Sequence, residues 1–175
     1  MSERVSDIVL IGFRGAGKTC AGRLLAAHLG RPFVDTDALI EARSGLSVAE
    51  FFMRKGEESF RISERQVVAE LLGGQGRVIA TGGGVPLDPA NREVLRRLGP
   101  VILLDVDAST AQKRLEADEK KRPALTGLDF HDEIHRLLGS RRAAYDAAAQ
   151  LVVDARGDLD EVVATLTDIA TRPTT

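Results

Sequence analysis

The sequence predicts an α/β domain of three layers, in which helices cover both faces of a five-stranded parallel sheet. Five short runs rich in β-branched and aliphatic residues alternate with segments of helical periodicity. A strand, a helix and a second strand follow one another within the first 35 residues, and such a βαβ unit implies parallel strands and a right-handed crossover. The 175 residues fit one domain with a single core, and we find neither a linker nor an internal repeat.

The first half of the chain supplies three of these strands and four helices. Gly30 is a natural stop for the first helix, since glycine readily adopts the left-handed conformation that ends helices. Ser47, followed three residues later by Glu50, forms a capping box that opens the third helix. The predicted strands are Ile8–Ile11, Pro32–Asp35 and Val78–Thr81, and the predicted helices are Lys18–Leu29, Asp37–Arg43, Val48–Lys55 and Glu57–Leu72.

The second half continues the alternation and contains one long loop. Residues 118–129 are strongly charged and include Pro123 and Gly127, so we expect a mobile loop there. Residues 171–175 are expected to form a frayed tail. The predicted strands are Val101–Asp105 and Leu151–Val153, and the predicted helices are Asp88–Leu98, Ser109–Ala117, His131–Ala149 and Leu159–Ala170.

Composition excludes several classes of protein. A formal net charge of −2 and an aromatic content of 4% argue against a nucleic-acid-binding protein. No apolar run approaches the roughly 20 residues needed to cross a bilayer, so no membrane partner is expected. The single cysteine, Cys20, cannot form an intramolecular disulfide, and we expect it to pack as a small apolar residue. These features indicate a cytoplasmic protein.

A glycine-rich turn at Gly12–Thr19 carries the strongest functional signal, because it fits the pattern G-x-x-x-x-G-K-[ST] at every fixed position. In such a loop the backbone N–H groups and the helix dipole hold phosphate oxygens, Lys18 reaches the β- and γ-phosphates, and Thr19 can bind Mg²⁺. The loop therefore predicts a site for ATP with Mg²⁺. Arg14, inside the loop, either leans toward phosphate or is solvated. The candidate nucleotide-binding residues here are Gly15, Ala16, Gly17, Lys18, Thr19 and Cys20.

An acidic pair, Asp35 and Asp37, closes the second predicted strand. Ligands gather at the carboxyl ends of parallel strands, so both carboxylates are expected to face the same crevice as the phosphate loop. One carboxylate can hold Mg²⁺, directly or through water, while the other orients a substrate hydroxyl and accepts its proton. The alternative is a solvated turn in which Asp37 caps the following helix.

Three consecutive glycines, Gly82, Gly83 and Gly84, follow the third predicted strand. They suit a place where the backbone approaches a ligand closely, although a tight crossover between strand and helix is the alternative. Arginines elsewhere can clamp a carboxylate or stabilise charge on a transferring phosphoryl group, and a loop that carries one can close over ATP and exclude water. The candidates are Arg61, Arg122, Arg141 and Arg142.

The order of these features resembles the shikimate kinase family over roughly Ile8 to Val153. The matching segments are G-F-R-G-A-G-K-T at 12–19, D-T-D at 35–37, G-E-E-S-F-R at 56–61, T-G-G-G at 81–84, R-P-A-L at 122–125 and R-R-A-A-Y at 141–145. The resemblance implies a P-loop domain like that of nucleoside monophosphate kinases. It also implies a monomer that phosphorylates the 3-hydroxyl of shikimate with ATP, in aromatic amino-acid biosynthesis.

The same resemblance implies a role for individual residues. Asp37 matches the aspartate that contacts the ring hydroxyls and is the candidate base, and Asp35 matches the aspartate near Mg²⁺. The remaining matches are Arg61 and Arg141 to the two arginines that hold the carboxylate, Gly83 to a substrate-contacting glycine, and Arg122 to the arginine of a lid (residues 118–129) that reaches the ATP phosphates.

Two segments depart from the family pattern without losing a charged group. The lid reads R-P-A-L instead of R-P-L-L, and the late helix reads R-R-A-A-Y instead of R-x-P-L-Y. Arg141 and Arg142 are therefore both candidates for the arginine that faces the substrate, and the spacing to Tyr145 selects Arg141. Adenine contacts align poorly, with Arg114 a candidate and Arg156 a weaker one.

Two other functions fit part of this pattern. A kinase for another small hydroxy acid, such as gluconate, would also need paired arginines for a carboxylate. A nucleotide-dependent switch would use the phosphate loop alone and has no need for Asp37, Arg61 and Arg141 together.

Overall fold

The computed structural model of the chain describes residues 5–117 and 130–172. Within these residues one five-stranded sheet has the order β2-β3-β1-β4-β5, and every pair of neighbouring strands is parallel. This confirms the predicted fold class. The strands are β1 (Ile8–Ile11), β2 (Phe33–Asp35), β3 (Val78–Ala80), β4 (Val101–Asp105) and β5 (Leu151–Asp154).

Seven α-helices in the described residues complete the three layers. Helix α1 packs against α7 on one face of the sheet, while α4 contacts both α3 and α6 on the other. The helices are α1 (Lys18–Leu29), α2 (Thr36–Ser44), α3 (Val48–Glu70), α4 (Pro89–Leu98), α5 (Ala108–Ala117), α6 (Phe130–Ala148) and α7 (Leu159–Thr171).

The three central strands are buried on both faces, as their continuous apolar runs predicted. All four residues of β1 and all three of β3 are buried, and only Asp105 of β4 is partly exposed. The edge strand β5 differs, since Leu151 and Val152 are exposed. The central strands therefore lie in the core, and the loops at their carboxyl ends carry the polar residues described below.

Several local predictions of helix ends are confirmed. Gly30 ends α1 with φ of 62°, and the capping box between Ser47 and Glu50 opens α3. The two helices predicted on either side of Gly56 are confirmed as two helical segments of α3, joined at Gly56, whose φ of 78° and ψ of 169° are not helical. Two short 3₁₀ helices, Leu71–Gly73 and Val85–Leu87, were not predicted.

Other boundaries differ from the prediction by a residue or two. Helix α2 begins at Thr36 because the carboxylate of Asp35 accepts hydrogen bonds from the N–H groups of Asp37 and Ala38. The alternative in which Asp37 caps this helix is therefore wrong. Helix α7 includes Thr171, the first residue of the predicted tail.

The predicted loop at residues 118–129 and the end of the tail at residues 173–175 lie outside the described part of the chain. No helix in the described part is both long and apolar enough to span a membrane.

Candidate active site

The phosphate loop connects β1 to α1 with the backbone geometry that its glycines allow. Gly15 has φ of 80°, and a Cβ there would lie 2.9 Å from the carbonyl oxygen of Ala111, so only glycine fits without strain. The Nζ of Lys18 donates to the carbonyl oxygens of Gly12 (2.8 Å) and Phe13 (2.9 Å). The lysine side chain thus lies back across the loop.

A cleft of about 680 Å³ opens beside this loop, within the usual range for a small-molecule site. Its lining includes every predicted nucleotide-binding residue from Gly15 to Cys20, together with Asp35 and Arg114. Cys20 is exposed on the cleft side of α1, so the expectation that it packs as an apolar residue is wrong. Its neighbour Ala21 is the residue that faces the core.

The two arginines considered for adenine occupy different places. Arg114 donates to the carbonyl oxygen of Gly157 (3.0 Å) and lies 3.4 Å from that of Gly15, so it ties α5 to both walls of the nucleotide cleft. Arg156 does not line this cleft. Its guanidinium pairs with the carboxylate of Asp154 (2.6 Å) at an exposed position.

Asp35 and Thr19 lie together at the phosphate end of the cleft. The Thr19 hydroxyl donates to Oδ2 of Asp35 at 2.7 Å, while Oδ1 of Asp35 caps α2. No group of three or more acidic, histidine or cysteine side chains that could hold a metal occurs in the described residues. One carboxylate and one hydroxyl still fit Mg²⁺, which usually takes one or two carboxylates and completes its shell with phosphate oxygens and waters.

A second pocket adjoins the first, and Arg14, Asp37 and Gly83 line both. It contains every described residue that was predicted to bind the substrate, namely Asp37, Arg61, Gly82, Gly83, Gly84 and Arg141. An apolar wall that includes Phe52 and Phe60 faces these polar groups. The arrangement suits a small ring with hydroxyls on one side and a carboxylate at one end.

Arg61 is held by two carboxylates on its own helix, α3. Its guanidinium pairs with Glu57 at 3.1 Å and with Glu64 at 3.0 Å, and the Glu64 side chain is only 2% exposed. Burial raises the pKa of the Glu64 carboxyl, and attraction to Arg61 opposes this effect without cancelling it. Our sequence reasoning missed Glu64, although its spacing three residues after Arg61 on a predicted helix was a usable signal.

The glycine triplet makes room for the side chains of this pocket. A Cβ at Gly84 would stand 2.0 Å from Nη1 of Arg61, and one at Gly82 would stand 2.5 Å from Oδ1 of Asp37. The N–H of Gly82 donates to the Thr36 hydroxyl at 2.9 Å. For Gly82 and Gly84, close packing against protein side chains is therefore the observed reason for glycine.

The late helix α6 presents one of its two adjacent arginines to the pocket. Arg141 lines the pocket, 5.8 Å from the centre of the Phe13 ring, whereas Arg142 pairs with Asp105 (3.0 Å) and Asp146 (2.9 Å) and is 50% exposed. The Tyr145 hydroxyl donates to the carbonyl oxygen of Gly83 at 2.8 Å. This bond joins α6 to the glycine triplet, and Arg141, four residues before Tyr145, lies on the same face of the helix.

Arg14 is not solvated, in contrast to one of the two expectations for it. Its side chain is 9% exposed, and Nη2 donates to Oε1 of Glu133 at 2.7 Å. Glu133 is fully buried on α6 and was missed by our sequence reasoning. It lies 119 residues from Arg14, and no local pattern marks it.

Arg122, the predicted lid arginine, lies outside the described residues, as does the rest of the predicted lid.

A family model, curated relatives and solved structures all match this chain to shikimate kinases. A family model described as "Shikimate kinase" matches residues 14–171. A shikimate kinase of Symbiobacterium thermophilum is 48% identical over 160 residues, which cover 90% of this chain and 92% of that protein. Among solved structures, a shikimate kinase of Acinetobacter baumannii in complex with shikimate has a TM-score of 0.83 and 32% identity, with 96% of both chains covered.

A second solved structure of a shikimate kinase has a similar fold. The shikimate kinase of Bacteroides thetaiotaomicron has a TM-score of 0.86 and 34% identity, covering 94% of this chain and 97% of that one.

Proposed function

This chain belongs to the shikimate kinase family and is an ATP-dependent kinase for shikimate, and we propose that it passes the γ-phosphate directly between its two joined pockets. In this proposal the 3-hydroxyl of shikimate attacks the γ-phosphorus, and the products are shikimate 3-phosphate and ADP. The P–O bond to ADP breaks as the new P–O bond forms, and the hydroxyl proton leaves to a base. The reaction serves the synthesis of aromatic amino acids.

The observation that carries the proposal is the contact between the two pockets. Asp37, Arg14 and Gly83 line both, so a group bound against the phosphate loop and one bound beside Asp37 are neighbours. In-line phosphoryl transfer depends chiefly on such positioning and on electrostatic stabilisation. A nucleotide-dependent switch needs no acceptor pocket at this point.

The nucleotide side consists of the loop, Lys18 and the Thr19–Asp35 pair. Backbone N–H groups of the loop and the Lys18 ammonium bind the phosphates, and Arg114, which lines the cleft beside the loop, is the candidate for contact with adenine. Thr19 and Asp35 would hold Mg²⁺, which would neutralise part of the phosphate charge. The same Thr19–Asp35 contact links the loop to the acidic end of β2.

The acceptor side consists of Asp37, Arg61 and Arg141. Asp37 orients the shikimate hydroxyls and is the group that takes the proton, because its carboxylate lines both pockets. Arg61 and Arg141 bind the shikimate carboxylate. The aromatic wall at Phe52 and Phe60 packs against the ring.

The lid completes the site in this proposal. Arg122 reaches the ATP phosphates when the lid closes, and closure excludes water, which would otherwise compete with shikimate as the acceptor. Support for this part comes from the sequence pattern alone.

The chain is proposed to work as a monomer in the cytoplasm. The resemblance to the family supports a monomer. A net charge of −2 and few aromatic residues support the absence of a nucleic-acid partner.

The test of this function is ADP release measured with a coupled enzyme assay across a panel of hydroxy acids that includes shikimate and gluconate. We expect rapid ADP release with shikimate, the formation of shikimate 3-phosphate in equal amount, and only slow hydrolysis without an acceptor. Preference for gluconate would identify a different metabolite kinase. Slow hydrolysis that shikimate does not change would identify a nucleotide-dependent switch.

A further inference from the structure

The guanidinium of Arg14 lies at the junction of the two pockets. It lines the nucleotide cleft and the acceptor pocket, although its side chain is only 9% exposed. The phosphoryl group must pass between these pockets, so it passes beside this side chain. A buried cation at such a point is far more effective electrostatically than one in water.

The Arg14 side chain is held in place from several sides. Nη2 donates to Glu133, and the guanidinium carbon lies 5.9 Å from the ring centre of Phe13 and 6.0 Å from that of Phe130. The buried Nε has no hydrogen-bond partner among the described residues. Glu133 therefore fixes one edge of the guanidinium, and the buried Nε is left as an unsatisfied donor of the same side chain.

The position of Glu133 also links the two substrate sites. Glu133 and Arg141 belong to the same helix, α6, while Arg14 belongs to the phosphate loop. Arg14 and Arg141 lie at similar distances from the Phe13 ring centre, 5.9 Å and 5.8 Å. The two guanidinium groups near this ring repel each other, and the negative charge of the Glu133 carboxylate beside Arg14 offsets part of that repulsion.

We infer that Arg14 is a catalytic residue whose guanidinium contacts the γ-phosphoryl group during transfer, and that Glu133 is the positioning residue that aims it. This inference rests on the proposed function. Charge spreads over the equatorial oxygens of the phosphoryl group in the transition state, and a fixed guanidinium stabilises that charge without reorganisation. The benefit is therefore greatest in the transition state and small for either bound substrate.

A purely structural pair would behave differently. A buried ion pair that only ties the phosphate loop to α6 would contribute to folding and to the binding of both substrates. Removing one partner would then lower the melting temperature and raise both KM values, with little separate effect on kcat.

The central experiment compares Arg14→Met with Arg77→Met. Arg77 pairs with the buried carboxylate of Asp7, and the two residues directly precede β3 and β1, at the opposite end of these strands from the site. Both substitutions replace an arginine that pairs with a buried carboxylate by an apolar chain of similar length. We expect Arg14→Met to lower kcat about 100-fold or more, with both KM values nearly unchanged, while Arg77→Met lowers only the melting temperature.

Two further variants keep the test decisive if Arg14→Met folds poorly. Arg14→Lys retains the charge without the fork of donors, and we expect its kcat to lie between those of the wild type and Arg14→Met. Glu133→Gln leaves the arginine in place but aims it less well, so kcat falls less than in Arg14→Met, and combining the two substitutions adds little further loss.

The inference is overturned if Arg14→Met or Arg14→Lys keeps the wild-type kcat, or if the losses in Arg14→Met are confined to stability and KM. Failure of the proposed function would look different. In that case the wild-type protein itself would release ADP at a rate independent of shikimate.

Discussion

The guanidinium of Arg61 occupies the space that a side chain at position 84 would need. A Cβ built on Gly84 would stand 2.0 Å from Nη1 of Arg61, closer than any real contact of that kind. Arg61 is also held by Glu57 and Glu64, so it cannot move away without breaking an ion pair. The position of Arg61 on α3 therefore requires that residue 84, just after β3, has no side chain.

Gly84→Ala should damage the acceptor pocket more than the fold. The new methyl group displaces the Arg61 guanidinium, and we expect the KM for shikimate to rise at least tenfold while the KM for ATP changes little. Steady-state kinetics with each substrate varied in turn measures this. The control is Gly139→Ala on α6, where a Cβ meets nothing within 4 Å, and alanine there should be neutral or slightly stabilising.

Arg61→Ala should raise the KM for shikimate sharply, because it removes a guanidinium that binds the carboxylate. The matched control is Arg65→Ala, one turn further along α3, where the arginine is exposed and lies 3.6 Å from Asp88. Equal KM values for shikimate in the wild type and Arg61→Ala would mean that the carboxylate is held elsewhere.

Asp37→Asn should leave ATP binding nearly intact while kcat falls by a factor of about 100 to 10,000, the usual contribution of a general base. The amide has almost the same shape as the carboxylate, so the melting temperature should change little. Titration calorimetry with ATP and single-turnover kinetics with shikimate separate the two effects. Turnover at the wild-type rate would remove Asp37 from the assigned role.

Asp35 should be needed for Mg²⁺ as well as for the start of α2. Asp35→Asn keeps a side-chain oxygen for the cap but loses a charge, so we expect a higher Mg²⁺ concentration for half-maximal activity with little loss of stability. Asp35→Ala should also lose about 1 kcal/mol of stability from the missing cap. An unchanged Mg²⁺ requirement in both variants would contradict the assignment.

Glu64→Gln should change how stability depends on pH. The folded-state pKa of Glu64 is raised above its ordinary value of 4.5 by burial, so its contribution to stability is fully present below that value and is lost as the pH rises through the folded pKa. The wild type should therefore lose stability relative to Glu64→Gln as the pH rises from below 4.5 through the raised pKa of Glu64. Urea unfolding at a series of pH values measures the difference, and a constant difference would argue against the raised pKa.

The sequence predicted the sheet, the order of its elements and most of the polar residues of the site. It succeeded where a local pattern has one physical cause. The continuous apolar run of β1 requires burial on both faces, and the glycine spacing of the phosphate loop requires backbone N–H groups aimed at phosphate.

The sequence failed where contacts join distant parts of the chain. Glu133 and Arg14 form a pair although they are 119 residues apart in the sequence, and no local sequence pattern around either residue indicates its partner. The role of Gly84 was also hidden, because the atom that excludes a Cβ belongs to Arg61 on another element. The predicted apolar environment of Cys20 was wrong because tertiary packing, and not periodicity alone, decides which face of α1 lies toward the cleft.

The most direct test of the account is a crystal structure of the protein with shikimate, Mg²⁺ and a non-hydrolysable ATP analogue. We predict the shikimate carboxylate between Arg61 and Arg141, and the 3-hydroxyl beside Asp37 at about 3–3.5 Å from the γ-phosphorus. Shikimate bound on another face, or with its 3-hydroxyl turned away from the nucleotide, would contradict direct transfer between the two pockets.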